Sequence, residues 1–386
     1  MSAEFLPGNR LTLLNSGAEY FPALIAAIDD AHDEVHLESY IFEDDTTGRA
    51  VAMALGNAAK RGVTVRVLVD GFGSRDFSNT LMPGLLKAGV QAMVYRPDIA
   101  RFLLRRHRLR RLHRKLAMID GRIAFVGGIN VIDDLNTPHQ TPPRYDYSVR
   151  IEGALLLPIQ KALYRLWEIV VWARLNRRYR LSQVPRTALP QVGEQSAAFL
   201  IRDNLRHRRD IEEAYLIAIA DAQTEILIAN AYFLPGRRFR RALSDAVNRG
   251  VRVSILLQGR IEYRLFHYAT QALYGKLLGA GIRIFEYRRS FLHAKVAVID
   301  AQWATVGSSN IDPFSLLLAK EANIVVRDAR FAEELRLSLL KAISEGAKEL
   351  SPRRWRRLPW HARLLRWLSY HLVRLGVGII GYGGKH

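Results

Sequence analysis

The chain has 386 residues, 49 % hydrophobic and 24 % charged, with no cysteine. That length suggests two domains rather than one ordinary core. The composition is that of a folded chain, and the missing cysteines exclude disulfides and thiolate metal sites while suiting a reducing compartment. A formal net charge of +20 calls for an anionic partner, either nucleic acid or a membrane surface rich in anionic lipid.

No apolar run is long enough for a transmembrane helix, and residues 1–10 lack the pattern of a signal peptide. In chain order, the patterning predicts a helix over 18–31, a strand over 34–42, a helix over 46–61 and a strand over 63–70. The stretch Arg101–Lys115 then carries seven Arg and one Lys among Phe102, Leu103, Leu104, Leu109 and Leu112. It runs directly into a His-x-Lys motif, so a contact with a lipid headgroup or surface is expected there. Residues 155–180, with Trp167 and Trp172, read as an Arg-rich amphipathic helix. Pro185, Pro190 and Gly193 mark 181–196 as a linker. Helices near 207–222 and 237–249, with strands near 225–233 and 251–258, then repeat the opening pattern.

The repetition is specific. Glu34-Val35-x-Leu37 leading to Phe42 matches Glu225-Ile226-x-Ile228 leading to Phe233. Arg61-Gly62-Val63 matches Arg249-Gly250-Val251, and Ala88-Gly89-Val90 matches Ala280-Gly281-Ile282. One domain has been duplicated. Strand–helix alternation in each copy predicts α/β layers on a largely parallel sheet. The expected organisation is a lobe over 1–180, a linker over 181–196, a second lobe over 197–350 and a tail over 351–386.

Each copy carries the pattern His-x-Lys-x4-Asp-x6-Gly-x-x-Asn, starting at His113 and again 180 residues later at His293. Alternate residues of a strand share a face, so His113 points with Lys115 and His293 with Lys295. Asp120-Gly121 is a two-residue turn signal. Folding about it sets Gly128 opposite His113, with Asn130 just beyond; Ser308 and Asn310 take the matching places opposite His293. Asp120 and Asp300 complete the motif and stand in the candidate set. The hairpin nevertheless puts Asp120 at its tip, roughly 23 Å from His113. Their expected role is therefore mainly structural, capping the turn or pairing with nearby cations. The acids that orient the imidazoles are expected from elsewhere: Asp146 and Glu321, each just before an apolar strand-like run.

Two His and two Lys converging on one point suit phosphoryl chemistry. One imidazole attacks phosphorus and the other transfers protons. Lysines and asparagines hold the non-bridging oxygens. Lysine does the cation work, so no metal or other cofactor is expected. A single His-x-Lys on a strand is ordinarily an exposed polar face; two at matched places in a duplication are not.

These residues resemble the phospholipase D superfamily, whose mark is a pair of His-x-Lys-x4-Asp motifs. Ala229-Asn230-Ala231-Tyr232-Phe233, Phe285-Glu286-Tyr287-Arg288-Arg289, Val306-Gly307-Ser308-Ser309-Asn310-Ile311-Asp312-Pro313 and Glu321-Ala322-Asn323 resemble the bacterial cardiolipin synthases, nearest their B type. The likeness spans about residues 8–350. It implies a duplicated α/β/α sandwich of two pseudo-symmetric lobes with one active site at their interface. It also implies a phosphohistidine intermediate on His113, proton transfer by His293, and Asp146 and Glu321 pairing with the catalytic histidines. The implied activity transfers a phosphatidyl group to phosphatidylglycerol, giving cardiolipin, with phosphatidylglycerol or phosphatidylethanolamine as donor. Hydrolysis to phosphatidic acid and metal-independent nuclease action are the alternatives the superfamily offers.

The tail favours lipid over nucleic acid. Trp360, Leu364, Leu368, Leu372 and Leu375 form one helical stripe, with Arg363, Arg366 and Arg374 on the other side. This suits an interfacial helix on anionic lipid; an amphipathic helix packed on the body would read the same. The expected location is the bacterial cell membrane, peripheral, on its cytoplasmic face. Oligomeric state is left open by the sequence.

Overall fold

The computed structural model describes residues 3–97, 111–174, 179, 191–203, 207–312 and 319–381. The basic run 101–110 and residues 181–190 of the expected linker lie outside that set. The first lobe runs β1 (Leu6–Asn15), α1 (Ser16–Asp29), β2 (Glu34–Ser39), α2 (Thr46–Lys60), β3 (Thr64–Asp70), α3 (Leu81–Lys87), β4 (Gln91–Tyr95), β5 (Arg111–Leu112), β6 (Lys115–Ile119), β7 (Ile123–Gly127), β8 (Arg144–Tyr145), β9 (Tyr147–Gly153) and α4 (Leu156–Ala173). The second runs β10 (Gln195–Arg202), α5 (Asp210–Asp221), β11 (Glu225–Asn230), α6 (Arg237–Asn248), β12 (Arg252–Gln258), α7 (Arg264–Gly279), β13 (Arg283–Tyr287), β14 (Phe291–Leu292), β15 (Lys295–Ile299), β16 (Trp303–Gly307), β17 (Ala319–Arg327), a helix over Ala329–Gly346 and β18 (Ala347–Glu349). Two further helices, Pro352–Arg356 and Trp360–Gly381, form the tail.

Local sequence accounts for these elements. Asp45 caps α2 by accepting from the Gly48 N–H at 2.9 Å. Strand residues alternate between cores: Val65, Val67 and Val69 join α1 and α2, while Leu68 turns to the opposite face. Each such fully buried aliphatic side chain contributes about 1.5–3 kcal/mol.

One mixed sheet runs through the molecule in the order β18-β13-β12-β11-β15-β16-β17-β10-β1-β9-β7-β6-β2-β3-β4. Reading outward from the β1–β10 pair, the two halves follow the same sequence of equivalent strands, so the pseudo-twofold passes between them. The outer faces carry separate cores, one under α1 and α2, the other under α5, α6 and α7. The inner core is common: Leu163 of α4, Leu335 of the Ala329–Gly346 helix, Leu116 of β6 and Val296 of β15 all belong to it.

The sheet corrects the expectation of largely parallel strands. Along that path only β2-β3-β4 and β11-β12-β13 run parallel, and the short β5–β17 pairing off the path is parallel as well. The middle of each lobe is antiparallel, because β6–β7 and β15–β16 are hairpins and β9 and β17 return beside them.

Candidate active site

The hairpins carry the motifs, with a register one residue away from the expected one. Lys115 lies opposite Gly127 and Ile119 opposite Ile123, so the loop is Asp120-Gly121-Arg122. Asp120 and Gly121 have φ of 50° and 60°, and the Arg122 N–H closes the turn on the Ile119 carbonyl at 2.9 Å. The second copy repeats this, with Ile299 opposite Trp303. Gly128 and Ser308 therefore do not face the histidines across the hairpin. Both serve the acids instead. A side chain at Gly128 would meet the Asp146 carboxylate at 2.3 Å, whereas Ser308 donates to Glu321 Oε2 at 2.5 Å. The Gly/Ser difference between the copies follows from the shorter acid in one and the longer acid in the other.

Asp120 and Asp300 stand outside the cluster. Asp120 accepts from the backbone N–H groups of His32, Asp33 and Glu34 at 2.8–2.9 Å. Asp300 does the same for Gln223, Thr224 and Glu225. Each ties its hairpin tip to the loop entering the neighbouring strand. Asp120→Ala is expected to lower stability by about 1–2 kcal/mol and to leave turnover per folded molecule unchanged. Thermal unfolding measured beside activity checks this.

The histidines and their acids come together across the lobes. Strand β5 pairs with β17, so the His113 N–H donates to the Lys320 carbonyl at 3.0 Å. Strand β8 pairs with β14, so the His293 N–H donates to the Tyr145 carbonyl at 2.8 Å. The next residues are Glu321 and Asp146. Backbone pairing thus sets each acid beside the histidine of the opposite lobe. His113 Nδ1 lies 3.0 Å from both Glu321 oxygens, and His293 Nδ1 lies 2.7 Å from Asp146 Oδ2. A ring that donates from Nδ1 to a carboxylate keeps an unprotonated Nε2 for chemistry.

Lysines and asparagines complete the set. Lys115 Nζ donates to the His113 carbonyl at 2.5 Å and sits 5.3 Å from the centre of the Tyr40 ring. Lys295 Nζ reaches Asp146 Oδ2 at 3.3 Å. Tyr40 also packs edge-on against His113, with ring centres 4.7 Å apart; no motif singled it out. Asn130 accepts from the Ile41 N–H through Oδ1 at 3.1 Å, while the buried Oδ1 of Asn310 has no hydrogen-bond partner among the described residues. Of the ten candidates, His113, Lys115, Asp146, His293, Lys295 and Glu321 gather at the lobe junction, Asn130 holds the backbone beside Tyr40, Asn310 is buried two residues past Ser308, and Asp120 and Asp300 lie at the far hairpin ends.

Burial shapes the charges. It pushes His293 down to about 3, with Lys295 adding to the effect and Asp146 opposing it. It also lowers His113 against the pull of Glu321, and brings Lys115 down to about 7. Burial works against the charged acids as well. Lys295 and His293 nevertheless hold Asp146 below its ordinary value, and His113 and Lys115 do the same for Glu321. With both imidazoles neutral, two lysines face two carboxylates. An anionic diester entering such a cluster favours uptake of one proton.

Among the described residues, no group of three His, Asp or Glu side chains is arranged to hold a metal ion, and no helix is long and apolar enough to cross a membrane.

Two lobes that exchange acids around one cluster of histidines and lysines have the arrangement of a phospholipase D-like fold. Phosphatidylserine synthase from Haemophilus influenzae shares this fold, with a TM-score of 0.71 over 98 % of this chain and 96 % of that one at 13 % identity. The polyphosphate kinase of Porphyromonas gingivalis aligns with a TM-score of 0.59 at 15 % identity, over 96 % of this chain and 53 % of that one. The chain belongs to the family described as cardiolipin synthase, PLD-like domain, which matches residues 24–137 and 215–341. Cardiolipin synthase B of Escherichia coli is 37 % identical over 100 % of this chain and 93 % of that protein. The major cardiolipin synthase of Bacillus subtilis is 31 % identical over 86 % of this chain and 68 % of that protein.

Proposed function

We propose that the chain is a phosphatidyltransferase that makes cardiolipin through a phosphohistidine. The observation that carries this reading is the crossed pair of histidine–carboxylate contacts, His113 with Glu321 and His293 with Asp146, at one junction flanked by Lys115 and Lys295.

In the first step His113 Nε2 attacks phosphorus of the donor phospholipid, and the bond to the headgroup oxygen breaks. His293, protonated as the diester enters, gives its proton to that oxygen, releasing glycerol from phosphatidylglycerol or ethanolamine from phosphatidylethanolamine. In the second step the glycerol hydroxyl of phosphatidylglycerol loses its proton to His293 and attacks phosphorus. The phosphorus–nitrogen bond breaks, cardiolipin leaves and His113 is restored. Lys115, Lys295 and the amides of Asn130 and Asn310 hold the non-bridging oxygens as charge builds. Arrival of the phosphate also favours the charged form of Lys115. Glu321 and Asp146 fix the ring orientations and stabilise each imidazolium as it forms. We place the protein at the cytoplasmic face of the cell membrane, bound peripherally.

The test is product identification. Purified protein is incubated with phosphatidylglycerol, with phosphatidylethanolamine and with both, and the lipids are resolved by mass spectrometry. Cardiolipin is expected wherever phosphatidylglycerol is present. Phosphatidic acid as sole product would assign the chain to hydrolysis. DNA cleavage without any lipid product would assign it to nucleic acid.

A further inference from the structure

The tail helix Trp360–Gly381 has two unlike faces. One packs on α7: Ser369 and Val373 are only 4 % exposed. Arg366 donates to Gln271 Oε1 at 2.9 Å and lies over the Trp355 ring at 5.2 Å. The other face is bare. Trp360, Leu364, Trp367, Leu368, Leu372 and Leu375 are between 44 % and 75 % exposed. The two readings of this segment left open by its sequence are thus both partly realised: the helix packs on the body and still leaves its apolar stripe uncovered.

The helix also has a direction. The Trp355 ring lies 5.2 Å from Tyr274, while Arg366 reaches back to Gln271 and to Tyr268 at 6.0 Å. Later tail residues meet earlier residues of α7, so the helices run antiparallel and the stripe points toward the start of α7. Ile261, Tyr263 and Leu265 are exposed there. Tyr263 lies 6.3 Å, ring to ring, from Tyr232. Tyr232 follows Asn230 by two residues, and Asn230 pairs with Lys295 of the site. The apolar strip therefore leads to the rim of the catalytic cluster.

Its charge selects the occupant. Residues 351–381 contain seven Arg and no Asp or Glu. Arg353, Arg357, Arg363 and Arg374 are exposed. A second copy docked through this strip would set arginines against arginines without a carboxylate from the segment. A groove for nucleic acid has no use for a row of leucines. We propose that this strip is where the protein sits on a bilayer rich in anionic phospholipid. The leucines and tryptophans enter the interface, the four arginines lie among the headgroups, and the site mouth is held at headgroup level. This rests on the lipid-transfer reading above for its meaning, but its test needs no turnover.

The test is co-sedimentation of the full chain with vesicles of phosphatidylcholine alone and of phosphatidylcholine mixed with phosphatidylglycerol. Wild type is compared with Leu368→Glu/Leu372→Glu, both exposed positions, and with a chain lacking 351–386. Wild type is expected to bind the anionic vesicles and only weakly the neutral ones. The double variant should bind at least about tenfold less tightly, with thermal unfolding and activity on short-chain monomeric lipid unchanged. Equal binding of wild type and double variant to anionic vesicles would overturn the proposal. So would a wild-type dimer that the double variant converts to monomer, which would assign the strip to a second copy. If vesicle binding behaves as expected while no lipid is converted, the transfer reading fails and the docking surface stands.

Discussion

Replacing His113 with alanine is expected to lower phosphatidyl transfer by about 10⁴-fold or more, and replacing His293 to do the same. The size follows from the loss of a reacting group, and the equality follows from the crossing. His113 relies on Glu321 of the second lobe, and His293 on Asp146 of the first. Neither lobe holds a complete histidine–carboxylate unit, so neither retains a working half. Two independent sites would instead leave each single variant with about half the activity. Substitution with glutamine is the companion experiment. It keeps a donor near the buried carboxylate while removing the nucleophilic ring, so stability is spared and activity is not. Initial rates of cardiolipin formation by both pairs of variants, with thermal unfolding alongside, decide between one shared site and two.

Much of this centre was legible because its chemistry depends on side-chain type at fixed spacing. His113, Lys115, His293 and Lys295 announce themselves twice, and Asp146 and Glu321 emerge because an acid at the hairpin tip cannot reach its own histidine. What escaped the sequence was set by backbone details. The hairpin register was missed because the loop has three residues rather than two, and one residue of slip moves every cross-strand partner. The crossing was missed because it depends on two-residue pairings between segments far apart in the chain, β5 with β17 and β8 with β14. Nothing in Arg111-Leu112 or Phe291-Leu292 names its partner; only packing of the lobes does. The seam strands β1 and β10 escaped for a similar reason: each is a lone strand whose antiparallel partners lie far along the chain. The middle of the sheet reads as parallel from strand–helix alternation alone, although its strands are joined by hairpins.

A substrate with an activated leaving group separates the two histidine–acid pairs. A phosphodiester ester of 4-nitrophenol departs as a stable phenolate and needs little help from a proton donor. With it, His293→Ala and Asp146→Asn are expected to retain the first step, releasing nitrophenol in a burst as phosphohistidine accumulates. Their second step should stall, because the acceptor hydroxyl still needs a base. His113→Ala and Glu321→Gln are expected to lose the burst: the first lacks the nucleophile, and the second lacks the carboxylate that orients it and stabilises its cation. Phosphohistidine can be followed by acid-labile, base-stable labelling of the protein. The expected grouping sets Asp146 with His293 and Glu321 with His113, against their order in the chain. If Asp146→Asn instead abolishes the burst with His113→Ala, the crossed contacts do not govern catalysis. If all four variants keep this grouping but the two pairs exchange behaviour, His293 is the nucleophile and His113 the acid–base group. The crossed geometry makes each acid report on the histidine of the other lobe, so four substitutions and one leaving group assign both roles.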